Sequence, residues 1–204
     1  VFSATRATLG RAMQTVLLVD IGATTTKLAV MEFGIIRFTH TISRGSQDIT
    51  VALSKARSIS FEMAEDIKRT TGVLGDVENI PQVMSNTGVH VSGQAEQREQ
   101  RETAITHIAN LTLESIFSET NTMLMQYQQK HNVSIDSVIL TGGGVLLKGL
   151  LQMAKKHINA GIVLGDPFAK VVAPAFLSPM LSEAGPEFAV AVGLALRKMQ
   201  ETEE

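Results

Sequence analysis

Cysteine and tryptophan are absent from this chain of 204 residues, and tyrosine occurs once. The lack of cysteine excludes disulfides, thiolate catalysis and cysteine-ligated zinc or iron–sulfur sites, and it agrees with a reducing cytoplasm. Aromatic residues make up 4% of the chain, which leaves few side chains on which nucleic-acid bases could stack. The histidines never fall at a ligand spacing such as HExxH, so we do not expect a histidine metal site.

Long hydrophobic runs are also missing. No apolar run approaches the ~20 residues of a membrane-spanning helix, and residues 1–14 lack the apolar core and cleavage pattern of a signal peptide. The formal net charge is -2 and there is no basic run, so we expect no nucleic-acid partner. With 44% hydrophobic and 19% charged residues, the composition predicts a globular protein of one domain or two small lobes.

Near its start the chain has an apolar strand pattern at Val16–Val19 and an extended pattern that resumes at Lys27, with a polar loop between them. In this loop glycine lets backbone amides approach a ligand and threonine adds hydroxyl donors, which favours an anion such as phosphate. The candidate phosphate-binding residues are Gly22, Ala23, Thr24, Thr25 and Thr26. Asp20 would sit beside the phosphates through Mg²⁺ and a retained water. The alternative is an ordinary hairpin whose DxG marks a turn.

The first half of the chain predicts a three-stranded antiparallel meander followed by helices. The predicted strands are Thr15–Val19, Leu28–Met31 and Ile36–Ile42, and the predicted helices are Asp48–Ala56, one from Phe61 to a stop at Gly72, and Arg98–Lys130. A turn is predicted at Phe33-Gly34, and Ser60 is the predicted N-cap of the second helix. Residues 72–100 are predicted as a loop with short elements.

The second half predicts a strand, a crossover helix and a parallel strand. A short buried strand from Ser137 runs into three glycines, and a helix at Val145–His157 and a strand at Gly161–Leu164 follow. A closing helix is predicted at Glu187–Met199, with the last glutamates as a solvated tail. We therefore predict an α/β fold whose mixed sheet, flanked by helices, combines the meander with the βαβ strands.

The glycine run at Gly142, Gly143 and Gly144 is the second candidate binding element. Three consecutive glycines cost conformational entropy, which suggests that the backbone lies against something flat or charged, such as a nucleotide. The alternative is a tight strand-to-helix turn in a crowded fold. The run is neither a Walker A loop nor GxGxxG.

Three motifs, DIGATTT at 20–26, AEDIK at 64–68 and LTGGG at 140–144, resemble the actin-like ATPase superfamily in their order and spacing. The stretches LVDIGATTTKLAV, LTGGGVLLKGL, GDPFAKVVAPAF and AGPEFAVAVGLALR are similar to the PilM family, bacterial cytoplasmic actin-like proteins of type IV pilus assembly. The resemblance covers most of Val16–Met199 and is most specific in the last third of the chain. It implies a ribonuclease-H-like, actin-type ATPase lobe.

The resemblance also implies a ligand and a role for each motif. ATP would bind with Mg²⁺, which Asp20 would hold through water, while residues 22–26 would hold the β- and γ-phosphates. Glu65 and Lys68 would border the ribose, and residues 142–144 would bracket the adenosine. For Glu65 and Lys68, which lie three apart on a helix, a surface ion pair is the alternative.

One departure from the family matters. Nothing before Val16 resembles the first phosphate loop or first connecting helix of the N-terminal lobe, so we expect a second lobe alone, from a longer protein. Residues 1–15 would be the remnant of an upstream helix or linker, 16–199 the lobe with 45–130 as a helical insertion or subdomain, and 200–204 an acidic tail. Such a lobe supplies half of a nucleotide cleft, so we expect weak ATP binding and at most weak ATPase activity, with this chain alone inactive.

The resemblance further implies a scaffold of the pilus machinery, located in the cytoplasm and held at the inner membrane through partners. PilN would be a partner, mainly through the lobe that is absent here, and a homo-oligomer or ring is a further expectation. Two alternatives remain open: the lobe of a working actin-like ATPase or kinase, and an FtsA-like division protein. The charged end of the chain, which is not an amphipathic membrane helix, weighs against the last.

Overall fold

The computed structural model describes residues 14–73, 93–169 and 171–203, except for the side chains of residues 93–105, 200 and 203. Five strands form one mixed sheet in the order β3-β2-β1-β4-β5. Their bounds are Thr15–Ile21 (β1), Thr26–Glu32 (β2), Ile35–Ile42 (β3), Ser137–Thr141 (β4) and Gly161–Leu164 (β5). β1, β2 and β3 form an antiparallel meander, and β1, β4 and β5 run parallel. The predicted mixed sheet is confirmed.

Helices flank this sheet in the described residues. The α-helices are Ser46–Arg57 (α1), Phe61–Thr71 (α2), Gly93–His131 (α3), Leu150–His157 (α4) and Ser178–Glu203 (α5), and short 3-10 helices lie at Gly143–Leu146 and Ala175–Leu177. The predicted N-cap is confirmed, because the Ser60 hydroxyl accepts a hydrogen bond from the Met63 amide at 3.2 Å. No helix in these parts of the chain is both long and apolar enough to cross a bilayer.

The central strand β1 is buried on both faces. Leu17, Val19 and Ile21 belong to the larger core cluster, to which α1, α2 and α3 also contribute buried side chains. The smaller cluster on the other face contains Val16, Leu18, Ala29, Met31 and Ile139. Burial on both faces explains why residues 16–19 of this strand form a continuous apolar run. The division into segments 1–15, 16–199 and 200–204, with 45–130 as a subdomain, stays a prediction.

The predicted helix at Val145–His157 is wrong in its first half. The chain instead forms a 3-10 turn that ends at Leu146, and α4 begins only after Gly149, which has a φ of 84°. A Cβ at Gly149 would overlap the carbonyl oxygen of Val73, whose own amide donates to Lys148 O at 2.6 Å. The leucine pattern continues through the break, which is why periodicity alone predicts one helix.

The bounds of two other helices also differ from the predictions. The closing helix starts at Ser178 rather than Glu187 and continues to Glu203, so the acidic end is helical in its described part. It contains Pro186, a residue that is disfavoured in a helix interior because it lacks a backbone N–H. α3 starts at Gly93, so the end of the predicted loop is helical, while residues 74–92 and 1–13 lie outside the described part of the chain.

A polar cluster of Thr50, Glu65 and Lys68 fastens α2 to α1. The Lys68 Nζ lies 2.7 Å from Glu65 Oε2, so the ion pair considered above forms, but its lysine is only 6% exposed and the pair is not a surface one. Burial by itself would raise the pKa of Glu65. Hydrogen bonds from Lys68, Thr50 and Arg69, together with the charge of Lys68, outweigh that effect and lower the pKa to about 2.

Substituting Gly149 with alanine should destabilise the protein by roughly 2 kcal/mol or more. The new side chain would have to adopt a positive φ and would meet the Val73 carbonyl. Chemical denaturation measures the change. Gly161→Ala is the matched control, because an added Cβ there would lie 3.5 Å from the nearest atom, Asp136 O, in ordinary contact. Equal stability of the two variants would contradict the tight approach of Gly149 to Val73.

Glu65→Gln should destabilise the protein most at neutral pH. The folded pKa of Glu65 is about 2 and its ordinary value is 4.5, so the stabilisation is fully present above pH 4.5 and disappears as the pH falls toward 2. The difference in unfolding free energy between wild type and variant, measured by denaturation at several pH values, should shrink across that window. Glu201→Gln is the control, because its ion pair with Arg197 is exposed and should contribute little at any pH. A pH-independent difference for Glu65→Gln would contradict the assignment.

Candidate functional site

The carboxyl ends of the parallel strands β1 and β4 lie side by side, with Asp20 opposite Thr141. This edge of an α/β sheet is where ligands commonly bind. Beyond it lies a cleft of about 720 Å³, a volume typical of small-molecule sites. Its lining residues are Ala23, Ser46, Gln47, Phe61, Glu65, Lys68, Arg69, Gly143, Gly144, Leu146, Leu147 and Glu187.

The cleft brings together residues from all three motifs of the sequence. The predicted site residues that line it are Ala23, Glu65, Lys68, Gly143 and Gly144. The predicted site residues that do not line it are Asp20, Gly22, Thr24, Thr25, Thr26 and Gly142. Of the predicted residues in the hairpin loop, Ala23 therefore lines this cleft.

The first turn of α1 holds the hairpin in place. The amides of Ser46 and Gln47 donate to the carbonyl oxygens of Gly22 and Ala23 at 3.0 and 2.8 Å, and Gly22 N donates to Thr25 O at 3.0 Å. These amides are therefore used by the hairpin, and the start of α1 does not offer them to an anion.

The three threonines of the hairpin occupy different environments. Thr26 is fully buried and its hydroxyl donates to the carbonyl oxygen of Arg44 at 2.9 Å, so its role is structural. Thr24 is exposed and Thr25 is half-buried. Of the predicted hydroxyl donors, the two that remain available to a ligand are those of Thr24 and Thr25.

Asp20 lies at the end of β1, partly buried. Burial raises the pKa of its carboxyl group, and the positive charge of Lys27 partly offsets that effect. A bound cation would favour the ionised form in the same way. In the described part of the chain, no group of three or more His, Cys, Asp or Glu side chains could hold a metal by itself. The donor set thus fits Mg²⁺ held through one carboxylate, water and a ligand's own phosphates.

The glycine run divides into two structural glycines and one that opens to the cleft. Gly142 has a φ of 90° and a Cβ there would overlap Asp20 Oδ1, while a Cβ on Gly144 would overlap the Ile21 side chain. At Gly143 an added Cβ would meet nothing closer than Glu187 Cγ, at 3.8 Å. The tight-turn interpretation therefore holds at the two ends of the run, while a ligand lying against its open middle position stays a prediction.

The wall formed by α2 combines a hydrogen-bonded carboxylate with an exposed arginine and an apolar side chain. Lys68 Nζ donates to Ser46 O and Thr50 Oγ1 and pairs with Glu65, so its three N–H groups all have acceptors. Glu65 is the better candidate for ligand contact, since its Oε1 is bonded only to Arg69 Nε at 2.9 Å and that arginine is 74% exposed.

Several lining residues are missing from the predicted site. Two of them, Phe61 and Arg69, lie on the same face of α2 as the predicted Glu65 and Lys68. The helical spacing around Glu65 could therefore have identified both. The other missed residues come from distant parts of the chain, and only the fold brings them to the cleft. They are Ser46, Gln47, Leu146, Leu147 and Glu187. The result is a cleft with an apolar wall, a carboxylate and a glycine floor, which suits a planar ring joined to a sugar.

Comparison with known proteins gives the family. A family model described as Cell division protein FtsA matches residues 17–193. Cell division protein FtsA of Neisseria meningitidis serogroup B is 29% identical over 153 residues, which is 74% of this chain and 36% of that protein. FtsA of Borreliella burgdorferi is 24% identical over 187 residues, covering 91% of this chain and 43% of the relative. The chain thus spans less than half the length of these curated relatives.

Solved structures agree on the fold. The PilM-PilN type IV pilus biogenesis complex matches with a TM-score of 0.72 and 24% identity, over 96% of this chain and 50% of that one. MreB 5 of Spiroplasma citri bound to AMPPNP matches with a TM-score of 0.59 and 17% identity, over 98% and 59%. These matches confirm the predicted actin-type fold, while the PilM identity is not confirmed, since the curated relatives above are named FtsA. Because the family model covers most of the sequence, the chain belongs to the FtsA family of actin-like ATPases.

Proposed function

We propose that this chain binds ATP with Mg²⁺ in the cleft between the hairpin, α2 and the glycine run, as part of an actin-like assembly scaffold. The observation behind the proposal is that Ala23, Glu65 and Gly143, which belong to three motifs far apart in the sequence, line one cleft. The fold relatives support it, since MreB 5 was solved with AMPPNP bound.

The cleft offers a suitable surface to each part of a nucleotide. Phe61 and Leu146, which are 44% and 41% exposed, present apolar area to a base. The Glu65 carboxylate accepts hydrogen bonds, as the hydroxyls of a ribose require. Gly143 leaves the floor free of side chains, and the exposed tip at Ala23 and Thr24 would face the phosphates.

Mg²⁺ would neutralise part of the phosphate charge and would be held by Asp20 through water. Phe61 and Leu146 exclude water from one side of the cleft, and Glu65 orients the sugar. These residues grip and orient a ligand, and we therefore propose a scaffold whose nucleotide is chiefly a structural clamp. The alternative is the lobe of a working ATPase or kinase.

For the biological role we propose type IV pilus assembly, as in PilM. The support is the fold match to the PilM-PilN complex at a TM-score of 0.72 and the motif resemblance described above. PilN would then be the partner, and the protein would lie in the cytoplasm, held at the inner membrane through such partners. A ring or other homo-oligomer belongs to the same proposal.

Cell division is the second candidate role. The family model and the relative at 29% identity both have the name Cell division protein FtsA, which favours this role by sequence. Both candidates share the nucleotide cleft, so a test of ATP binding does not separate them. A cellular test does.

Gly143→Ala should weaken ATP binding by roughly tenfold without lowering stability. The added methyl group meets no protein atom closer than 3.8 Å, yet it occupies the floor of the cleft. Calorimetric or NMR titration with ATP and Mg²⁺, together with thermal unfolding, measures both effects. Gly161→Ala, on the distant strand β5, is the control and should leave ATP affinity unchanged. Unchanged binding by Gly143→Ala, or no ATP binding by the wild type, would contradict the proposed site.

Depletion of the protein in the bacterium that encodes it should remove surface pili and leave septation normal. Gly161→Ala should restore piliation. Gly143→Ala should restore it poorly, because its added methyl group occupies the cleft although it meets no protein atom closer than 3.8 Å. Electron microscopy counts pili, and cell length reports on division. Filamentous cells with normal pili would instead support the cell-division role.

A further inference from the structure

The hydroxyl of Thr50 bridges the two charged residues of α2. Thr50 lies on α1 with 0% exposure, donates to Glu65 Oε2 at 2.6 Å and accepts from Lys68 Nζ at 3.0 Å. An ammonium group can only donate and a hydroxyl has a single proton, so the direction of both hydrogen bonds is fixed. Both groups that hold this oxygen of Glu65 are buried.

The two carboxylate oxygens of Glu65 therefore differ in how firmly they are held. Oε2 is fixed by Thr50 and Lys68, which are buried, whereas Oε1 is bonded to Arg69, whose side chain is 74% exposed. An exposed ion pair contributes little, so a ligand can displace Arg69 at low cost. Oε1 is thus the oxygen that a ligand in the cleft can reach.

We propose that Thr50 is a positioning residue of the nucleotide site, which together with Lys68 fixes Oε2 of Glu65 so that Oε1 is presented to a ribose hydroxyl. This inference rests on the proposed nucleotide binding and adds to it a residue outside the cleft lining. In this proposal Thr50 does not touch the ligand. Lys68 does not contact the ligand either, because its three N–H groups already have acceptors, and it acts together with Thr50 to hold Glu65.

Thr50→Val tests the role of the hydroxyl, because valine keeps the shape and removes the donor. The 204-residue protein is titrated by NMR with ATP and, separately, with 2′,3′-dideoxy-ATP, which lacks the ribose hydroxyls. We expect the wild type to prefer ATP by roughly tenfold, as for a hydrogen bond to a charged group. In Thr50→Val the preference should fall to about twofold or less, and Thr50→Ser, which retains a hydroxyl, should recover it.

Thr70→Val is the matched control, because Thr70 lies on the same helix as Glu65 and its hydroxyl donates to backbone carbonyls within that helix. It should leave the preference for ATP unchanged. If Thr50→Val does not fold, Thr50→Cys replaces it, since a thiol is a weak donor and should lower the preference partially.

The outcomes separate the inference from the proposed function. A purely structural role for Thr50 would weaken both nucleotides equally in Thr50→Val and preserve their ratio, which would overturn the inference alone. A wild type that binds both nucleotides equally would overturn it as well, because Glu65 would then not contact the ribose. A wild type that binds neither nucleotide would overturn the proposed function, and the inference with it.

Discussion

The peptide groups on either side of Ser46 are hydrogen-bonded to different parts of the fold, and the shape of the cleft depends on this. The amide of Ser46 donates to Gly22 O on the hairpin at 3.0 Å, while its carbonyl accepts from Lys68 Nζ at 3.2 Å. The hairpin is thus positioned by α1, and α1 by α2. Since Lys68 is buried, loss of its ammonium would leave buried acceptors unpaired and would weaken the attachment of α2 to α1.

The sheet supplies the second constraint. The chain leaves β1 and β4 at neighbouring points of the same edge, and the turn after β4 passes so close to Asp20 and Ile21 that a side chain would not fit at Gly142 or Gly144. Close packing here brings a segment from late in the chain against the first hairpin. The shape of the cleft therefore depends on the parallel pairing of β1 and β4.

Much of the fold could be predicted because its local signals are strong. The strands alternate or are uniformly apolar, Ser60 is a good N-cap, and Phe33-Gly34 forms a turn with positive φ at both residues. The break before α4 was not predictable in this way, because Gly149 is required by its approach to Val73, a residue 76 positions earlier. Likewise, Pro186 sits inside a helix that local rules would end there.

The candidate site was predictable in its motifs but not in its geometry. The sequence contains the hairpin, the AEDIK helix and the glycine run, yet it does not show that Thr26 is buried or that Lys68 has no proton left for a ligand. Those facts depend on contacts between helices and loops. Thr50 is an extreme case, because nothing near it in the sequence distinguishes it from any other threonine on a helix.

The unequal glycines of the run also bear on how the motif is interpreted in other members of the family. Two of the three, Gly142 and Gly144, are required by the strand beside them whether or not a ligand binds. A relative that has lost its ligand would still need both, so their presence says little about nucleotide binding. The middle position is the informative one, and a relative with a bulky residue at the equivalent of Gly143 would combine the same fold with a filled cleft.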